Sequence, residues 1–157
     1  MNFRTDYQVI EHSGLLSEPD LALLECARMA VGHSYSPYSN FKVGAAIVME
    51  SGQIITGFNI ENASYPVCLC AEQTTIAAVK TQFPGQIMKG MAITVRSANQ
   101  IVNIPATPCG QCRQLLFEQE RINGESIRLI LQGMEGPIWI FDSVSMLLPH
   151  GFSGKLL

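Results

Sequence analysis

The chain is short of charge. Charged side chains make up 15% of its 157 residues against 47% hydrophobic, and the formal net charge is -3. Lys and Arg gather nowhere into a cluster, which argues against a protein built to grip a nucleic-acid backbone, where affinity comes largely from neutralising phosphates. A small, neutral ligand suits this balance better. Long hydrophobic runs are missing too: none approaches the roughly 20 residues that a helix needs to span a bilayer. The opening Met1-Asn2-Phe3-Arg4-Thr5-Asp6 lacks the charged-then-apolar layout of an export signal. Five cysteines without such a signal set the expectation of a reducing, cytoplasmic setting. There is no internal repeat, low-complexity tract or linker, and the length is that of one domain. His12, His33 and His150 stand at no metal-ligand spacing. The sparse charge carries one more expectation, a large subunit interface, because obligate interfaces resemble a core cut in half.

What is there reads as alternating elements. Residues 1–16 are of mixed polarity and read as an N-terminal arm; residues 17–157 read as a single domain. Ser17-Glu18-Pro19-Asp20 is a helix start, with Ser as N-cap and Pro in the first turn, and a broad apolar helix follows to about Gly32. Phe41 to Met49 and Ile54 to Asn59 read as two strands joined by the turn Glu50-Ser51-Gly52-Gln53. Helices are predicted over Cys70 to Lys80 and Cys109 to Gln119. Strands are predicted over Met88 to Val95, Ile127 to Leu131 and Ile138 to Phe141, and a short helix over Asp142 to Leu148. The sum is an α/β protein with about five strands in a mixed sheet and helices on both faces.

Three of the cysteines are spaced for chemistry. Cys70-Ala71-Glu72 is followed by Pro108-Cys109-Gly110-Gln111-Cys112. Zinc takes a tetrahedral shell of nitrogen and sulfur ligands, and a catalytic site keeps one position open for water. Cys70, Cys109 and Cys112 supply three ligands and leave the fourth position open. Glu72, two residues beyond Cys70, can face that position without binding the metal. A lone C-x-x-C is weak, since redox pairs and zinc ribbons share it. With the preceding Pro and the upstream C-x-E, the pattern resembles the signature of zinc deaminases, in which the Glu serves as general acid and base. Both ligand segments open predicted helices, whose free N–H groups and partial positive charge favour thiolate over thiol. The remaining cysteines, Cys26 and Cys68, sit in apolar stretches and read as small hydrophobes.

The resemblance extends over most of the chain, from about Leu21 to Phe152. Ser36-Pro37-Tyr38-Ser39-Asn40-Phe41-Lys42-Val43-Gly44-Ala45-Ala46 resembles the opening motif of cytidine deaminases. Gly57 to Tyr65 resembles their ribose-binding segment, and Leu147 to Phe152 their C-terminal segment. Order and spacing are similar to the small, homotetrameric, three-cysteine class. That resemblance implies a three-layer α/β/α sandwich, one Zn²⁺ per subunit, and hydrolytic deamination of cytidine or deoxycytidine in pyrimidine salvage. It implies Glu72 as the catalytic acid and base. It places Asn59 and Glu61 on the ribose hydroxyls; the two alternate along an extended segment, so their side chains share a side. It puts Phe41 and Phe152 against the pyrimidine ring and adds Ala71, Ala63 and Tyr65 to the substrate contacts. Phe152 and the Ala63–Tyr65 stretch are expected to cross into a neighbouring subunit's site.

One departure stands out. Three thiolates on one Zn²⁺ leave a net negative centre, and most three-cysteine relatives place an Arg directly after the catalytic Glu. Here that residue is Gln73. Gln73, as a hydrogen-bond donor, and Arg113, which matches the family motif, are the candidates for compensating the charge. Three other readings compete: a deaminase of another aminopyrimidine nucleoside such as blasticidin S, a polynucleotide-editing deaminase, and a structural zinc module. The acidic balance disfavours the second. The third needs a fourth protein ligand, for which Cys68 is awkwardly close to Cys70.

Overall fold

A computed structural model describes residues 5–154. Its elements run β1 (Gln8–Ile10), α1 (Glu18–Val31), β2 (Phe41–Met49), β3 (Ile54–Phe58), α2 (Ala71–Gln82), β4 (Met88–Ser97), α3 (Gly110–Asn123), β5 (Arg128–Gln132) and β6 (Ile138–Phe141). Short 3-10 turns occupy Ser13–Leu15, Tyr65–Val67 and Val144–Leu147. The last of these lies within Asp142 to Leu148, where a short helix was expected.

The strands form one mixed sheet in the order β1-β6-β5-β4-β2-β3. Only β4 and β5 run parallel; every other neighbouring pair is antiparallel. Helix α1 covers one face. Its Leu23, Leu24 and Ala27 pack with Ala46, Ala92, Ile130 and Ile140. Helices α2 and α3 cover the other, where Ile76, Val79 and Leu116 pack with Ala45, Ile47, Met91 and Ile93. The three-layer α/β/α sandwich is therefore as expected. From Val43 onward strand β2 is apolar without a break, because successive side chains point to opposite faces and both faces are covered.

Two glycines set how closely the layers approach. A Cβ on Gly44 would lie 2.2 Å from the Ala27 carbonyl oxygen and 2.6 Å from the Val31 nitrogen, so α1 rests directly on β2. A Cβ on Gly57 would lie 2.3 Å from Thr75 Oγ1, which seats α2 against β3. Helix α1 begins where Ser17 Oγ accepts from the Asp20 N–H at 3.3 Å. Helix α3 ends at Gly124 in the left-handed region, φ 71°, a conformation that Gly adopts without steric cost.

The strand count differs from expectation: the sheet has six strands, not five. The additional one, β1, lies inside the segment read as an arm. Gln8, Val9 and Ile10 pair antiparallel with Ile140, Trp139 and Ile138, and the Tyr7 ring lies 5.1 Å from each of the Trp139 and Phe141 rings. Residues 1–4 of the arm, and 155–157 at the other end, lie outside the described residues. Among the described residues no helix is long and apolar enough to cross a membrane.

Candidate active site

Cys70 and Cys109 are the N-cap residues of α2 and α3. Their sulfurs therefore stand at the positive ends of two helices, where unsatisfied N–H groups favour the thiolate. The Cys112 N–H points to Cys109 Sγ at 3.5 Å. Cys112, in the first turn of α3, is fully buried. The three sulfurs lie within 4.8 Å of one another, and Cys70 and Cys109 are 3.9 Å apart. Tetrahedral Zn–S bonds of about 2.3 Å would space the sulfurs by about 3.8 Å, so the donor set fits zinc. The hydrogen bond from the Cys112 thiol brings the Cys70 thiol down to about 7, against the desolvation of its site. Cys112 is pushed up, first by that same bond and then by burial.

Glu72 is 5% exposed, in the first turn of α2. Burial raises its carboxyl above the ordinary range. Glu72, Cys70, Cys109 and Ala71 line a cavity of about 560 Å³. Phe41, Asn59, Glu61 and Tyr65 line the same cavity. Eight of the residues singled out from sequence thus meet in one cavity.

Asn59 and Glu61, the pair expected at the ribose, are tightly held. Asn59 Oδ1 accepts from the Val43 N–H at 2.8 Å and from Ser34 Oγ at 2.5 Å, while its Nδ2 donates to the Phe41 carbonyl at 2.9 Å. Both oxygen lone pairs are used and one N–H is left, so Asn59 meets a ligand as a donor. Glu61 accepts from the Tyr38 and Ser39 N–H groups at 2.9 and 3.2 Å and from the Ser39 hydroxyl. These bonds, the Ser39 hydroxyl foremost, hold its carboxyl below the usual range. Asn59 and Glu61 therefore offer one donor and one charged acceptor, a match for hydroxyl groups.

The remaining expected residues sit outside the cavity lining. The oxygen of Gln73 accepts from the Cys70 backbone N–H at 2.8 Å and closes a capping box at the start of α2. Arg113 donates to the Pro108 carbonyl at 2.8 Å, to the Leu147 carbonyl at 3.2 Å and to Thr107 Oγ1 at 3.2 Å. Both side chains thus engage polar groups beside Cys70 and Cys109. Phe152 is 58% exposed, its backbone paired in both directions with the Gln114 amide. Ala63 is exposed on the loop before α2. Sequence reasoning passed over Tyr38, Ser39, Val43 and Thr107, which also line the cavity. For Tyr38 and Ser39 a signal was present: they fall within the Pro/Ser/Tyr loop that precedes β2.

With this geometry in view, comparison with known proteins is decisive. Residues 17–123 match the family model described as the cytidine and deoxycytidylate deaminase zinc-binding region. The chain belongs to the cytidine and deoxycytidylate deaminase family. The deaminase is 35% identical to a cytidine deaminase from Halalkalibacterium halodurans, over 85% of this chain and 93% of the relative. It is 37% identical to a cytidine deaminase from Sporosarcina psychrophila, over 83% and 89% of the two chains. Among solved structures, the cytidine deaminase of Burkholderia pseudomallei superposes with a TM-score of 0.74 at 35% identity, covering 87% of this chain and all of that one. The matched part of the family model contains both ligand segments and Glu72, and stops short of the C-terminal Phe152.

Proposed function

We propose that this deaminase hydrolyses cytidine and deoxycytidine to uridine and deoxyuridine with release of ammonia, using one Zn²⁺ per chain held by Cys70, Cys109 and Cys112. The observation that carries the reading is one cavity lined by the buried carboxyl of Glu72, two of the three clustered thiols, Cys70 and Cys109, and a hydroxyl-matching pair, Asn59 and Glu61. The names of the relatives support cytidine as substrate.

Bound at the three sulfurs, zinc supplies Lewis-acid activation of water at neutral pH. The proton traffic belongs to Glu72. Its carboxylate takes a proton from the water and delivers it to ring N3 as the water oxygen bonds to C4. The same side chain carries the second water proton to the exocyclic amine, the C4–N bond breaks, and ammonia leaves. The raised pKa suits a group that must both take and give a proton near neutrality. Phe41 offers an aromatic surface to the flat base. Gln73 and Arg113 hold the two ligand-bearing helix starts in place, and the charge of Arg113 offsets that of the thiolates.

The active form in this reading is a homotetramer with sites shared between subunits, acting on free nucleosides in cytoplasmic pyrimidine salvage rather than on nucleic acid. Tyr35, Tyr65, Val67 and Leu69 support an interface, being large, exposed hydrophobic residues, two of which, Tyr65 and Leu69, line the cavity. So does Phe152, whose exposed ring is available to a neighbour. The test is a comparison of kcat/KM on cytidine, deoxycytidine, cytosine and blasticidin S. Cytosine should fall below cytidine by about a hundredfold or more, because Asn59 and Glu61 lose their partner. Equal rates on cytosine and cytidine, or a preference for blasticidin S, would contradict the assignment.

A further inference from the structure

The loop before β2 contains a hydrogen-bond relay that bears on how Glu61 is presented. The Phe41 N–H donates to Ser39 Oγ at 3.0 Å. That bond occupies a lone pair of the hydroxyl, so the single hydroxyl proton is directed to Glu61 Oε1, where the structure places it. The other carboxylate oxygen, Oε2, takes the Tyr38 and Ser39 backbone N–H groups. Each oxygen of Glu61 is therefore held from the same turn, and the orientation left for a ligand is set by it. The turn is itself anchored, since Asn99 Nδ2 donates to the Ser39 carbonyl at 3.1 Å and the Glu61 N–H donates to the Tyr35 carbonyl at 2.8 Å.

We propose that Ser39 is a positioning residue for the sugar end of the site: its hydroxyl, oriented by the Phe41 N–H, fixes the Glu61 carboxylate in the pose that accepts from a nucleoside hydroxyl. This role rests on the nucleoside reading above. Ser39 does no chemistry at the base, so its effect falls on binding and not on turnover. It acts through Glu61, so its effect requires Glu61.

Both consequences are measurable on the full zinc-loaded protein. Ser39→Ala removes one hydrogen bond to a charged acceptor and should raise KM for cytidine about tenfold. Its kcat should stay within about threefold of wild type, the signature of lost binding common to ground and transition states. Ser39→Thr keeps the hydroxyl and should restore KM to near the wild-type value. In a Glu61→Ala background, adding Ser39→Ala should change KM by less than about twofold, because the two act as one unit. A KM unchanged in Ser39→Ala, a Thr variant as impaired as the Ala variant, or a full Ser39→Ala penalty persisting in the Glu61→Ala background would overturn the role while leaving cytidine as substrate. A wild-type chain with no turnover of cytidine would overturn the nucleoside reading and the role together.

Discussion

At the scale of single residues, the site works by placing groups where their protonation states are useful. Glu72 is pushed towards neutrality by burial, whereas Glu61 is held charged by donors from one turn. Two glutamates on one cavity thus have opposite tendencies and separate tasks. For Glu61 the folded-state pKa is depressed, so its charge and the stability it contributes are fully present above the unfolded value. Both are lost only as pH falls through the lowered folded value. A carbon-13 carboxyl titration should place Glu61 below an ordinary glutamate, and Ser39→Ala should move the midpoint up; a midpoint at or above the ordinary value would contradict the hydrogen bonding. The clustering of the three thiols beside Glu72 was legible in sequence because the spacing is local: Cys70 to Glu72 and Cys109 to Cys112 each lie within one turn. Ser39 was not, because its meaning lies in a contact with Glu61, 22 positions away. The bond that Gln73 Oε1 accepts at the start of α2 was likewise not legible, because it depends on the cap geometry of that helix.

At the scale of elements, the site depends on how closely two helices sit on the sheet. Gly44 and Gly57 make that approach possible from opposite faces. Gly44→Ala should destabilise the fold by about 1–3 kcal/mol, since its Cβ would meet backbone atoms of α1 rather than a movable side chain. Gly110→Ala, whose Cβ meets nothing within 4 Å, is the control. Equal melting temperatures for the two variants would contradict the packing described. The long strands and the helices were predictable to within a few residues from apolar runs and from Ser17, Pro19 and the cysteines at helix starts. Strand β1 was not, because three residues of Gln-Val-Ile carry no periodicity. Its place is decided by the open edge of β6 and by the rings of Trp139 and Phe141 against Tyr7.

At the scale of the whole molecule, the family fold brings residues from several elements, the starts of α2 and α3 and the segments flanking β2 and β3, to one cavity. If sites are shared between subunits, mixing inactive Glu72→Ala with inactive Phe152→Ala chains should restore part of the activity on reassembly, since an intact Glu72 can then meet an intact Phe152. Confirmed mixed oligomers without recovery would point to self-contained sites. Chelation should abolish turnover, and readdition of zinc should return it. The central claim is that Glu72 handles the protons beside a three-thiol metal. Its most direct test pairs metal content with ammonia release from cytidine for wild type and Glu72→Gln. The account predicts one zinc per chain in both, unchanged folding, and turnover lower by about a thousandfold or more in the variant. Equal turnover in a zinc-loaded Glu72→Gln chain would contradict it.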